Sequence, residues 1–161
     1  MNIKRLTLIA VLTLLLAVAS APAHGQNVTS DLLSRINNLR ASLGLAPYAL
    51  NGALASAAQN QAQWMAQTGQ ISHTQDSGST PSSRAQAAGY QSSWVSENIY
   101  MGSNATAASA FAWWSNSPIH YRGMTNANYS EIGIGWASGP AFNGSTAFVL
   151  VFGNPGGYTA P

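Results

Sequence analysis

The chain has 161 residues, of which only 6% are charged; it contains six Lys or Arg, four Asp or Glu, three His and no Cys. Lys4 and Arg5 carry the basic excess, and beyond them Arg35, Arg40, Arg84 and Arg122 balance Asp31, Asp76, Glu97 and Glu131. A body of near-zero net charge without a lysine has no basic stripe to neutralise phosphates or anionic lipid, which disfavours nucleic acid and charged membrane surfaces as partners.

Lys4 and Arg5 precede an apolar run from Leu6 to Val18, followed by the small-residue site Ala21-Pro-Ala23. This reads as an export signal over residues 1–23, cleaved after Ala23 or, as the alternative, after Gly25. The run falls short of the roughly 20 apolar residues of a membrane span, so none is expected once the signal is removed. One domain over 27–156 follows, and without cysteine its core must supply the stability that disulfides give other exported proteins.

Thr29-Ser30-Asp31 reads as a helix cap, with Leu32, Leu33, Ile36, Leu39 and Leu43 at helical spacing up to Gly44. Asn51 caps a second helix carrying Leu54, Ala57, Ala58, Ala62 and Met65 on one face and ending at Gly69. Residues 72–80 form a polar loop, and Pro81 starts a short helix that runs to Gly89. Trp94 to Tyr100 reads as extended, and Thr106 to Ser115 as a helix that Pro118 breaks or restarts. In the strand 131–137, Ile132, Ile134 and Trp136 share one face, while Glu131, Gly133 and Gly135 share the other. The missing glycine side chains leave room beside Glu131 for a ligand or another backbone. Residues 147–152 are apolar throughout, as in a strand covered on both faces. Helices first, then doubly covered strands, predict an α+β fold, a three-layer α-β-α sandwich around a mostly antiparallel sheet.

Few polar residues are available to build a site, and His73, Glu97, His120 and Glu131 are most of them. Each has a plainer reading: His73 as a surface imidazole, His120 as a cap on helix carbonyls, Glu97 as a paired structural carboxylate, Glu131 as a solvated strand end. Arg84 and Asp76 are expected to form a structural pair or to tie down the loop, and Tyr100, Trp113 and Trp114 to belong to the core and not to a ligand cradle. The chain has neither an H-E-x-x-H helix nor a G-x-S-x-G elbow.

The segments Leu32-Leu-Ser-Arg-Ile-Asn-Asn-Leu-Arg-Ala-Ser-Leu-Gly-Leu45, Ser72-His-Thr74, Arg84-Ala-Gln-Ala-Ala-Gly-Tyr90, Glu97-Asn-Ile99, Trp114-Ser-Asn-Ser-Pro118 and Glu131-Ile-Gly-Ile-Gly135 occur in order. As a set they resemble the CAP superfamily of plant pathogenesis-related proteins, cysteine-rich secretory proteins and venom allergens, and look closest to its bacterial, cysteine-free branch. The resemblance implies an α-β-α sandwich with a shallow central cleft of two His and two acids, which in some members binds a divalent metal. Carried over, the cleft residues are His73, Glu97 and His120, with His73 and His120 as metal ligands and zinc as the first candidate. The second Glu that many eukaryotic members place beside the preceding Trp is missing from 114–118, which leaves Glu131 for the fourth position, as in many bacterial relatives. Ile119 also departs from the Gly common before the second His. The implied function is that of an exported, monomeric protein acting mainly by binding a lipid or sterol, a cell-envelope component or a protein partner. The alternative is a hydrolase of peptides or envelope polymers, with Glu97 or Glu131 as general base and a metal-bound water as nucleophile. Truncating Phe148, Leu150 or Ile134 is expected to cost about 2–5 kcal/mol each, and exchanging His73, Glu97 or His120 much less.

Overall fold

The run 147–152, apolar at every position, lies within β4 (Ser145–Gly153), an interior strand of the sheet. In the computed structural model, which describes residues 23–157, β4 pairs antiparallel with β2 (Val95–Ser103) on one side and with β3 (Glu131–Ser138) on the other. A two-residue strand, β1 (Ala49–Leu50), adds parallel to β3, giving the order β1-β3-β4-β2. The sheet is mostly antiparallel, as expected. The expected export signal lies, but for Ala23, outside the described residues.

Both faces of β4 are covered because both sets of its alternate side chains are apolar. Ala147, Val149 and Val151 face α2 (Gly52–Thr68), which packs through Leu54, Ala57, Ala58, Ala62 and Met65. Phe148, Leu150 and Phe152 face the opposite layer, built from α1 (Ala23–Ser42), α4 (Ala107–Ser115) and α5 (Pro118–Thr125) through Leu32, Ile36, Trp114 and Met124. The short helix α3 (Pro81–Ala87) lies beside α2 and touches β2. This is the predicted three-layer sandwich.

Asn51, Gly69 and Pro81 were legible as helix ends, whereas Thr29-Ser30-Asp31 lies inside a helix and caps none. Asn51 Oδ1 accepts from the amides of Ala53 and Leu54, and Gly69 closes α2 in the left-handed conformation at φ 76°. Thr80 and Ser83 form a capping box on α3, as Thr106 and Ser109 do on α4. Pro118 restarts the chain as α5. The ends of α1 and β2 differ from expectation, and α3 stops at Ala87, short of Gly89. Helix α1 begins at Ala23, so Asp31 lies inside it and pairs with Arg35 one turn on (2.8 Å). It ends at Ser42, leaving Leu43 half-exposed. Strand β2 starts one residue after Trp94 and continues past Tyr100 to Ser103.

One buried cation ties the layers to the loop after α5. Arg40, 1% exposed, donates to the carbonyls of Ala46 (2.7 Å), Met124 (3.1 Å) and Asn126 (3.0 Å), and its guanidinium lies 3.6 Å from the centre of the Tyr48 ring. No carboxylate is needed, because carbonyl dipoles and the ring face solvate the charge. The Tyr48 hydroxyl adds a bond to the carbonyl of Gly123 (2.8 Å), so the end of α5 is fastened from α1 and from the segment before β1.

Candidate functional site

Glu97 stands near the start of β2, the strand at one edge of the sheet, and points to the side covered by α2 and α3. Its carboxylate is 1% exposed and fully engaged: Oε2 accepts from Nη2 of Arg84 at 2.7 Å, and Oε1 lies 2.9 Å from Nδ1 of His73. Arg84 comes from α3, where the Thr80 cap and Pro81 start the helix so that its side chain turns inward against β2. It also donates to the carbonyls of His73 (3.2 Å) and Ser79 (2.9 Å). One guanidinium thereby neutralises the buried acid and fixes both ends of the polar loop that carries His73. Arg84 thus ties down the loop, one of its two expected roles, while the other, a pair with Asp76, is not formed; Asp76 instead accepts from Nε2 of Gln70 at 3.0 Å on the surface. The inward direction of Arg84 decides this, since a buried carboxylate has a far greater need of a counter-charge than an exposed one.

A carboxylate only accepts hydrogen bonds, so Nδ1 of His73 carries a proton. In the neutral ring the lone pair then lies on Nε2, on a side chain that is half exposed.

His120 approaches from the other layer. Asn98, the next residue on β2, donates from Nδ2 to the His120 carbonyl at 2.8 Å and holds α5 against the strand. Gly123 makes the approach close: a Cβ there would lie 2.9 Å from the Phe152 ring and 3.0 Å from Oδ1 of Asn98. Nδ1 of His120 is 2.8 Å from Oγ of Ser117, and its ring packs on Trp113 with centroids 4.6 Å apart. Trp113 also contacts Tyr100 (5.7 Å) and is 47% exposed, so it is a wall of this surface, not the core residue expected. Trp114 is fully buried, with Nε1 donating to the Ile99 carbonyl at 3.1 Å.

Burial first, and the neighbouring His73 second, hold the His120 imidazole below the ordinary value of 6.5. Neutral His120 is therefore favoured in the fold, and the stability this gives is present above the unfolded-state pKa and lost as pH falls through the lower folded value. In metal-free protein, an NMR titration of His120 should show a midpoint below 6.5, and His73→Ala should raise it. An unchanged midpoint in that variant would mean that the two rings do not share a field.

Glu131 is placed differently. It pairs in register with Gly153, whereas the row containing Glu97 runs through Val151 to Gly133. Its Oε2 accepts from the Tyr90 hydroxyl at 2.7 Å and its Oε1 from Nδ2 of Asn51 at 3.2 Å. The room beside it is taken by another backbone, because Gly133 and Gly135 lie against the main chain of α2. His73 and Glu97 are thus in direct contact, His120 stands within electrostatic reach of His73, and the contacts of Glu131 are with Tyr90 and Asn51. Among the described residues, no three of His, Cys, Asp or Glu form a group that could hold a metal ion. A cavity of about 430 Å³ lies towards the other end of the sheet, lined by Val28, Thr106, Trp136 and Phe148 among others and by none of these four residues.

No curated protein matches the sequence. Among solved structures, an outer surface protein of Borrelia burgdorferi superposes with a TM-score of 0.71 at 24% identity, covering 80% of this chain and 93% of its own. An extracellular SCP-domain protein of Bacillus anthracis gives 0.65 at 20% identity over 78% of this chain, which spans 40% of that protein. A structure of NaASP2 with Zn²⁺ gives 0.56 at 17% identity, covering 83% and 84%. The profile of the cysteine-rich secretory protein family, CAP, matches residues 33–152. The same span holds His73, Arg84, Glu97, His120 and Glu131 within the three-layer fold, and the chain belongs to the CAP family.

Proposed function

We propose that this is an exported CAP domain that acts by binding, through the surface at the β2 edge where His73, Glu97 and His120 meet. The observation that carries the reading is the orientation of the two imidazoles. Nδ1 of each ring is engaged, by Glu97 in one case and by Ser117 in the other, and Nε2 of each has no hydrogen-bond partner among the described residues. A carboxylate behind a histidine is the arrangement that orients metal-binding imidazoles and raises their basicity. The donor set suits a weak two-imidazole site completed by water or ligand, not a closed structural site of four protein ligands. His73 and His120 would hold the divalent ion, zinc first, which would supply a Lewis-acidic anchor for a ligand atom. Glu97 serves from behind His73, and Glu131 is assigned to the clasp with Tyr90 and Asn51. The Zn²⁺ in the NaASP2 structure and the outer-surface and extracellular descriptions of two other neighbours accord with a metal-capable, exported domain.

Binding is favoured over hydrolysis because neither acid has a free oxygen to serve as general base. Both oxygens of Glu97 are occupied by Arg84 and His73, and both of Glu131 by Tyr90 and Asn51. A lipid or sterol, envelope material or a protein partner remain the ligand classes.

Calorimetric titration of Zn²⁺ into metal-free protein tests the site. Wild type should bind with one-to-one stoichiometry, and His73→Ala or His120→Ala should each abolish the heat. Binding should weaken as pH falls and protons compete for the imidazoles. Equal heats from all three proteins would sink the metal site. Turnover on a peptide and glycan panel that vanished in Glu97→Gln, with the fold intact, would replace binding by hydrolysis.

A further inference from the structure

The four acids of the described chain are all engaged: Asp31 by Arg35, Asp76 by Gln70, Glu97 by Arg84 and His73, Glu131 by Tyr90 and Asn51. Of the four arginines among the described residues, Arg35 and Arg84 have carboxylates, and Arg40 has three carbonyls and a ring. Arg122 alone has neither an ion pair nor a hydrogen-bond partner among the described residues. It is not simply a solvated surface charge, because it lines a cavity of about 260 Å³ between α5 and the start of β2, with Ser96, Ile119, Gly123, Asn126 and Tyr129. No acid is among these residues, so the cavity has one positive charge and no internal counter-charge. Ser96 and Tyr129 bring hydroxyls that interact with each other, Asn126 an amide, and Ile119 an apolar side chain that is 66% exposed.

We propose that this cavity is a carboxylate-binding subsite, with the Arg122 guanidinium as anchor, the Ser96–Tyr129 hydroxyl pair, which keeps one proton beyond its mutual hydrogen bond, as a second donor, and Ile119 supporting the apolar part of the ligand. A guanidinium fork matches a carboxylate through two parallel N–H···O bonds. A mixed apolar and hydroxyl lining suits an organic acid or a peptide C-terminus better than a bare inorganic anion, which would leave Ile119 without a role. The subsite adjoins the proposed metal-binding surface but is separate from it. Ile119 and Arg122 flank His120 in sequence on α5, while Ser96 precedes Glu97 on β2 and, by strand alternation, points to the opposite face.

The probe is N-acetyl-Ala-Ala, titrated into the full protein and followed by amide chemical shifts, with its C-terminal amide and inorganic phosphate as parallel arms. Saturable shifts should centre on Ser96, Ile119, Gly123 and Tyr129. Arg122→Gln should weaken binding roughly tenfold or more, Arg122→Lys should retain part of it, and the amide should fail to bind. Equal affinity for acid and amide, or binding undiminished in Arg122→Gln, would overturn the subsite. Saturation by phosphate without binding of the peptide would overturn the carboxylate assignment. Absence of any saturable shift would overturn both. Zn²⁺ titration of Arg122→Gln separates this from the metal reading: it should match wild type, and His73→Ala should keep the peptide shifts while losing zinc.

Discussion

Glu97→Gln is expected to cost about 3–5 kcal/mol of stability, because it leaves the Arg84 guanidinium buried without its counter-charge. Glu97 and Arg84 side chains are 1% and 3% exposed and 2.7 Å apart, so water cannot replace the missing carboxylate oxygen. A loss of that size is a large share of the ~5–15 kcal/mol that holds a typical domain together. It reverses the expectation from sequence that all three cleft residues tolerate exchange, since that expectation treated Glu97 as a ligand-facing acid. Arg84→Met should be comparably harmful, while the double variant should recover part of the loss, because it removes both charges. His73→Ala should stay within about 1 kcal/mol, since its half-exposed ring pairs with Glu97 in contact with water. Urea unfolding of the four variants in chelator is the measurement. If Glu97→Gln unfolds with the same midpoint as wild type, the pair is structurally idle and Glu97 is free to be a functional acid.

The sheet and its two covers were legible because residues 147–152 of β4 are apolar at every position, and because the buried face of α2 is drawn from Leu54, Ala57, Ala58, Ala62 and Met65. His73, Glu97 and His120 were found through the ordered motifs, each of which ends up at the β2 edge. Arg84 was expected to pair with Asp76 or to tie down the loop, and it does the second; its bond to Glu97 was not legible, because pattern along a chain cannot tell which way a short helix turns its arginine. That choice is made by α3 packing on β2, between residues far apart in sequence. Trp113 was a different kind of miss. Adjacent positions on a helix point about 100° apart, and with Trp114 turned fully into the core, Trp113 falls at the margin of the buried stripe and is 47% exposed. The two-residue β1 has no periodicity to detect, and the first turns of α1 lack the apolar spacing that begins at Leu32. Arg40 looked like any helix-end cation, and its role depends on carbonyls 84 and 86 residues away.

Gly133→Ala is expected to be the more damaging change, although it adds a single methyl group. The new Cβ would lie 2.0 Å from the carbonyl carbon of Leu54 and 2.2 Å from both Leu54 O and Ala55 N, all backbone atoms of α2. Real Cβ atoms essentially never come within 3.0 Å of such neighbours, and here no side chain can swing away. The helix itself must lift from β3, opening the packing of Leu54, Ala57 and Ala58 behind it. The cost should therefore exceed the about 1–3 kcal/mol typical of overpacking. The effect should also reach the site. Gln61 on α2 donates to the Ser72 carbonyl at 2.6 Å, next to His73, so a displaced α2 pulls on the loop that presents the imidazole. Gly52→Ala is the control: it lies in the first turn of the same helix with nothing within 4 Å of the added Cβ, and it should match or slightly exceed wild type in stability. Thermal melts with Zn²⁺ titration decide the matter. Gly133→Ala should melt far below Gly52→Ala and lose zinc affinity with it. Equal melting temperatures would show that α2 does not sit on β3 as closely as the absence of a side chain at Gly133 implies.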